Sequence, residues 1–246
     1  MHQTQTVSGS NVTAVTDKAG NSTITVNGTP NTSTSLNSYN TFSFAAGSNE
    51  DFQGSAVNQT SASGNHWAIG VFKYTVVNNS RDSFWSMENS SELAGSKRDY
   101  AVSAGDSSDF DGELDLDGLD VNRISTSIGD RRQFDTAVAN NTWTIIGVFF
   151  NKTGNQIGAR INGANAFTPV DDYDNNVNQL LDLRIMRNRA SVRMTGKMAE
   201  FFSVADIPGT GGTDISSFES AEGYLAHKWG LESNLPVDHP HKSSAP

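Results

Sequence analysis

The chain has 246 residues, no cysteine and a formal net charge of -10 at pH 7. A single core of this size can bury roughly 70% of the unfolded chain's surface, so no covalent staple is needed for stability. The lack of cysteine excludes disulfides and thiolate metal sites. The negative charge disfavours a phosphate-binding surface, and nucleic acid is therefore not an expected partner.

The first residues, MHQTQTVSGSNVT, contain neither a basic segment nor an apolar core. No later stretch approaches the roughly 18 to 20 apolar residues of a membrane span. We therefore expect a soluble chain without a secretion signal and without a membrane partner. A protein that assembles in the cytoplasm of a host cell needs no such signal, whereas a secreted lectin does.

The first quarter of the chain is rich in Ser, Thr, Asn and Gly, which compete with a helical backbone for hydrogen bonds and favour short strands and turns. Two later segments, His66–Val77 and Thr142–Asn151, are apolar on both of their alternating faces, which predicts central strands covered on both sides. The other predicted strands are short: Val12–Val15, Ser22–Val26, Thr41–Ala45, Asp51–Phe52, Ser83–Met87, Arg98–Ser103, Phe110–Asp117, Ile124–Ile128, Gln156–Ile161, Leu181–Met186 and Ser191–Val204. Such a series predicts one all-β antiparallel sandwich domain.

One helix is predicted near the end, over Ser216–Trp229. It has one apolar face, the capping-box spacing of Ser216 and Glu219, and a stop at Gly230. Gly223 inside it predicts close packing against the sheet. The segment after it contains three prolines and is expected to lie along the surface, where His239 and His241 flank Pro240 and give no defined metal geometry.

The segment GYLAHKWGLESNLPVDHPHK resembles the closing helix and tail of the laminin-G-like branch of the concanavalin A-like lectin/glucanase superfamily. The segments VTDKAGNSTITVNGTP, SYNTFSFAAGSNEDFQ, TWTIIGVFFNKTGNQIGARINGA and LRIMRNRASVRMTGKMAEFFSVADIP follow the order of that family. The resemblance implies a two-sheet jelly roll. It implies no single activity, since the fold hosts lectins, adhesion modules, glycosidases and structural domains. Residues 1–11 lack the Trp- and Asp-containing first strand of the family, so we expect an N-terminal arm whose missing edge another copy could supply.

The acidic stretch DFDGELDLDGLD, residues 109–120, offers three hypotheses. In a strand, Glu113, Asp115 and Asp117 share one face. Resemblance to laminarinase-like glycosidases would make Glu113 the nucleophile, Asp115 its tuning residue and Asp117 the acid. A retaining mechanism needs carboxyl groups roughly 5 to 5.5 Å apart, which an Asp at i+4 reaches less easily than a Glu.

The second hypothesis is a calcium site formed by Asp109, Asp111, Glu113, Asp115 and Asp117, because carboxylate oxygens are the ligands that calcium prefers. The spacing is not that of an EF-hand. No cofactor is otherwise implied. The third hypothesis, which we favour, is a solvated acidic strand edge or loop that discourages aggregation.

Two aromatic residues are candidates for stacking on a sugar: Trp85 in RDSFWSM and Tyr173 in DDYDNNVNQ. Trp67 and Trp143 are instead expected to pack in core strands. A basic cluster, Arg184, Arg187, Arg189 and Arg193, is either solvated hairpin decoration or a docking site for an acidic partner.

These features predict a non-enzymatic virion surface component, such as a capsid decoration or tail-fibre protein, which associates with other virion proteins and with itself. Binding of a host-surface glycan is compatible with that role. The alternatives are a carbohydrate-binding adhesion module of a bacterial surface, located outside the cell, and a glycoside hydrolase.

Overall fold

The computed structural model describes residues 3–17, 23–58, 65–76, 82–88, 98–103, 113–117, 132–151, 153–166, 180–187 and 193–246. Sixteen strands lie in these ranges. They are β1 Gln3–Ser8, β2 Asn11–Asp17, β3 Thr23–Asn27, β4 Asn31–Leu36, β5 Tyr39–Phe44, β6 Asp51–Asn58, β7 His66–Val76, β8 Ser83–Glu88, β9 Arg98–Ser103, β10 Glu113–Asp117, β11 Arg132–Ala137, β12 Thr144–Asn151, β13 Gln156–Ile161, β14 Ala164–Asn165, β15 Leu180–Ile185 and β16 Thr195–Val204. One helix, α1, spans Ser216–Trp229, and single 3₁₀ turns occur at Ala46–Ser48 and Glu232–Asn234.

The described strands form one antiparallel sheet in the order β11-β10-β9-β8-β15-β6-β3-β2-β4-β5-β16-β7-β12-β13-β14, and β1 pairs with β2. Strands β2 and β4 meet at only one register pair, Asn11 with Asn31. This weak junction divides the sheet into a first layer, from β11 to β2, and a second layer, from β4 to β14.

Side chains from both layers form the main core. The Trp85 ring of the first layer stacks on Phe72 of the second, with ring centroids 5.5 Å apart, and Phe52 of the first layer lies edge-on to Phe42 at 5.0 Å. All four side chains belong to one buried cluster. The two layers are therefore the two sides of a sandwich, as the sequence pattern predicts.

Helix α1 covers the opposite face of the second layer. Phe218 of the helix lies edge-on to Trp67 on β7 and to Phe149 on β12, with centroid distances of 5.6 and 5.5 Å. This explains why β7 and β12 are apolar on both faces: one face is in the sandwich core and the other lies under the helix. The prediction of two central, doubly covered strands is confirmed.

The helix has the predicted bounds but not the predicted N-terminal cap. No side chain caps it in capping-box fashion; the Asp214 carboxylate instead accepts hydrogen bonds from the backbone N–H and the hydroxyl of Ser216, at 3.1 and 3.0 Å. The helix ends as predicted at Gly230, whose left-handed φ of 68° a residue without a Cβ adopts most easily. Within the described residues no helix has the length and apolarity needed to cross a membrane.

Two further expectations about the strands need correction, and a third concerns residues that the structure does not describe. The N-terminal arm is a strand, β1, paired with β2. Strands β1, β4, β11 and β14 were not predicted, because their sequences are polar or very short. The predicted strand Ile124–Ile128 lies outside the described residues.

Candidate functional site: an aromatic and charged surface beside the helix

Trp85 is not a sugar-binding residue. Its side chain is 0% exposed and lies in the sandwich core, against Phe72 and Phe201. The alternation of β8 turns Trp85 inward, so the prediction that it stacks on a ligand is wrong. Tyr173, the other aromatic candidate, lies outside the described residues.

The acidic stretch contains a strand, as predicted, but not an edge strand. Strand β10, Glu113–Asp117, pairs with β9 on one side and β11 on the other, and its register against β11 shifts between Glu113 and Asp115. The interpretation as a strand edge is therefore wrong. Asp109 and Asp111 lie outside the described residues and the structure describes only the backbone of β10, so the glycosidase and calcium hypotheses stay predictions. Among the described residues, no group of three His, Asp or Glu side chains could hold a metal ion.

Two of the four clustered arginines act inside their own chain. The Asp51 carboxylate, 0% exposed on β6, accepts a hydrogen bond from Arg193 Nε at 2.7 Å and lies 3.6 Å from Arg187 Nη1. A buried carboxylate needs such neutralisation. The hypothesis that Arg187 and Arg193 dock to an acidic partner is therefore wrong, because both side chains neutralise Asp51 of the same chain. Arg184 is partly buried on β15, and Arg189 lies outside the described residues.

A surface that sequence reasoning missed lies where the turn between β4 and β5 meets the end of α1. Tyr39 is 53% exposed, and its ring contacts that of Trp229 at a centroid distance of 5.6 Å and an interplanar angle of 69°. Asn37 and Ser38 form the turn with φ of 44° and 66°. Asn37 Nδ2 donates to the carbonyl oxygen of Lys228 at 2.8 Å, which ties the turn to the helix. Tyr39 is thus an exposed aromatic ring held in a defined position.

A carboxylate and an ammonium group lie beside this ring. Glu200, 5% exposed on β16, accepts from Lys228 Nζ at 2.8 to 3.0 Å, from Trp229 Nε1 at 2.9 Å and from the Tyr224 hydroxyl at 3.4 Å. Lys228 Nζ also donates to the Tyr224 hydroxyl at 2.9 Å. The ammonium lies 5.9, 5.3 and 5.4 Å from the ring centroids of Tyr39, Tyr224 and Trp229, within the range of cation–π attraction.

The protonation of Lys228 follows from these contacts. Burial by itself lowers the pKa of Lys228, but the hydrogen bonds to Glu200 and Tyr224 and the charge of Glu200 outweigh it, so the pKa is raised. The lysine is therefore a cation at neutral pH. The arrangement offers an exposed aromatic face next to fixed charged groups, which is the combination that holds a sugar ring by stacking and by polar contacts at its rim.

Comparison with known proteins supports the fold and leaves the family open. No protein-family profile matches the sequence, and no curated protein matches it. Solved structures do match. The binding domain of botulinum neurotoxin DC, solved in complex with rat synaptotagmin II, superposes with a TM-score of 0.52 and 11% identity over 92% of this chain and 51% of that one. The receptor binding domain of the botulinum neurotoxin C/D mosaic serotype superposes with a TM-score of 0.56. Its sequence identity is 14%, and the match covers 90% of this chain and 50% of that one.

A third match is domain 4 of AbnA, a GH43 extracellular arabinanase from Geobacillus stearothermophilus, solved in complex with arabinotriose. It gives a TM-score of 0.56 and 12% identity over 82% of this chain and 89% of that domain. The chain spans about half the length of the neurotoxin domains that it matches. At these identities the matches define the fold, which is a concanavalin A-like antiparallel β-sandwich with one C-terminal helix.

Proposed function

We propose that this chain is a non-enzymatic, glycan-binding β-sandwich module of the laminin-G-like branch. The observation that carries the proposal is the position of Tyr39: a half-exposed ring fixed beside Lys228 and Glu200 on the helix-bearing face of the second layer. A sugar ring presents an apolar face that can stack on an exposed aromatic ring, with hydroxyl groups at its rim that can contact neighbouring polar groups.

The comparisons support a binding role over a catalytic one. The two neurotoxin structures are binding domains by their descriptions, and domain 4 of the arabinanase was solved with an oligosaccharide. Among the described residues, the charged groups beside Tyr39 are already engaged with one another, since Glu200 is bonded to Lys228, Tyr224 and Trp229. A carboxylate that accepts hydrogen bonds from three donors is suited to holding those side chains in place rather than to exchanging protons with a substrate.

We further propose that the module works on the surface of a virion, as a capsid decoration or tail-fibre component that contacts other virion proteins and further copies of itself. The support for this setting is the sequence resemblance to the laminin-G-like branch, which occurs in many environmental bacterial and phage proteins. Mass spectrometry of purified particles is the test. We expect the chain at a fixed stoichiometry with the capsid or tail proteins; its recovery only from particle-free supernatant would favour a bacterial adhesion module instead.

Glycan binding is tested with an oligosaccharide array and three variants. We expect Tyr39→Ala to weaken binding to the glycans selected by the wild type by about tenfold, equivalent to 1.4 kcal/mol, and Tyr39→Phe to retain most of it. Val7→Ala is the matched control, because Val7 is also an exposed apolar residue, 44% exposed on β1. The selected glycans should remain intact after long incubation. An array without any bound glycan, or equal binding by Tyr39→Ala, would contradict the proposal.

A further inference from the structure

A row of polar side chains crosses four neighbouring strands on the face that carries α1. Lys197 on β16 lies directly opposite Ser43 on β5 and directly opposite Lys73 on β7. Trp143 immediately precedes β12, whose first residue is paired with Phe72, and Lys73 Nζ lies 5.3 Å from the Trp143 ring centroid. Because adjacent strands are about 4.8 Å apart, the row spans roughly 14 Å.

The row is accessible and lies on the same face as Tyr39. Its four side chains are all partly exposed. Lys73 lies two and four residues after Val71 and Ile69 on β7, and therefore on the same face of the strand. Val71 and Ile69 belong to the cluster under the helix. Tyr39 and Ser43 are four residues apart on β5 and therefore also share a face, about 13 Å from each other along the strand.

The two lysines are placed unfavourably with respect to each other. Like charges directly opposite on neighbouring strands repel, and none of the ion pairs formed within the described residues involves Lys73 or Lys197. Burial, and after it the charge of Lys73, lowers the pKa of Lys197. An anionic group between the two ammonium groups would remove this repulsion and gain charge-assisted hydrogen bonds.

We infer that the row Ser43, Lys197, Lys73 and Trp143 is a subsite for the acidic group of a glycan, a carboxylate or a sulfate, with Trp143 positioning Lys73. This inference rests on the proposed glycan-binding function and specifies its ligand class. The Ser43 hydroxyl, 3.2 Å from the Thr34 hydroxyl, provides a neutral hydrogen-bonding group at one end of the row. The net charge of -10 works against unspecific attraction of polyanions, so retention of an acidic glycan requires a local site of this kind.

The test compares three polymers with one glucan backbone: dextran, carboxymethyl-dextran and dextran sulfate, immobilised for binding measurements. We expect the wild type to bind one or both charged polymers more tightly than dextran. Lys73→Gln and Lys197→Gln should each weaken that binding by about tenfold or more, which corresponds to 1.4 kcal/mol. The relative response to the two charged polymers identifies the group as carboxylate or sulfate.

Lys152→Gln is the charge-matched control. In the chain, Lys152 follows the last residue of β12 whereas Trp143 precedes the first, so the two positions belong to opposite ends of that strand. It should change the affinity by less than twofold. An equal loss in all three lysine variants, or no loss in any, overturns the subsite. A single-stranded DNA oligonucleotide is measured as well. If it binds more tightly than both charged polymers and its binding depends on Lys73 and Lys197, the assignment of an acidic glycan as the ligand is overturned.

Failure of the subsite is distinguishable from failure of the proposed function. Array glycans whose binding depends on Tyr39 but not on either lysine would leave the function in place and remove the subsite. A wild type that binds neither array glycans nor the charged polymers would remove both. Thermal melts identify any variant that fails to fold; since the charge on Lys197 is disfavoured in the fold, Lys197→Gln should not lower the melting temperature.

Discussion

His239 donates a hydrogen bond from Nε2 to Glu222 Oε2 at 3.0 Å, and both side chains are 1% exposed. The other ring nitrogen, Nδ1, accepts from the backbone N–H of His241 at 3.2 Å, so both ring nitrogens have partners. Glu222 on α1 also accepts from Arg160 Nε on β13 at 2.9 and 3.1 Å. The C-terminal tail lies along the surface, as predicted, and is attached to helix and sheet through this buried polar network.

The first prediction concerns His239. His239→Ala leaves Glu222 without one of its donors in a site closed to water, so we expect a loss of about 1.5–3 kcal/mol in the free energy of unfolding. His239→Gln can place an amide N–H near the position of Nε2 and should lose less. Urea unfolding at pH 7 measures both. Equal stability of His239→Ala and the wild type would show that the network contributes nothing.

The second prediction concerns Gly223, which packs against the tail rather than against the sheet. A Cβ at this position would lie 2.4 Å from the Cβ of His241. Gly223→Ala should therefore destabilise the protein, although Ala is favoured over Gly in a helix by about 1 kcal/mol. In a His241→Gly background the contact is gone, and Gly223→Ala should become stabilising. A double-mutant cycle of melting temperatures shows the change of sign; the same sign in both backgrounds would contradict it.

The third prediction concerns Lys228. Its raised pKa means that the ion pair with Glu200 stabilises the fold fully below the ordinary lysine pKa of about 10.4, and that this contribution is lost as the pH rises through the raised value. Lys228→Met should lower the free energy of unfolding at pH 7 by about 1.5–3 kcal/mol, because Glu200 stays buried.

The control for Lys228 is the double variant Glu200→Met/Lys228→Met, which removes both charges. It should lose less than the sum of the two single variants, since neither partner is left buried alone. Additive losses would mean that the two side chains act independently.

The fourth prediction concerns acid stability. Hydrogen bonds from the side chain and backbone of Thr210, followed by those from Ser216, lower the pKa of Asp214 well below its usual range. The stabilisation from Asp214 is therefore complete above its ordinary pKa of about 3.9 and declines as the pH falls towards the lowered value. Asp214→Ala should melt at a lower temperature than the wild type at pH 7, and the difference should narrow below pH 4. A difference that stays constant from pH 7 to pH 2 would contradict this.

Local patterns in the sequence determined much of the fold. Continuous apolar runs predicted β7 and β12 because a strand covered on both faces needs apolar residues at every position. Helix α1 and its end at Gly230 followed from periodicity and from the left-handed conformation that a terminal glycine accepts. The polar strands β1 and β4 carried too weak a signal, since their stability depends on partners elsewhere in the chain.

The tertiary structure alone decided which residues could form a binding face. The sequence placed Trp85 in a strand, but only the packing of the two layers shows that this strand turns it into the core. Tyr39 gave no signal in the sequence, because its contact with Trp229 joins residues 190 positions apart. Lys73 and Lys197 become neighbours only through the register of β7 and β16. A local pattern shows which side chains of one strand lie on the same face. The pairing of distant strands, in contrast, depends on the packing of the whole chain.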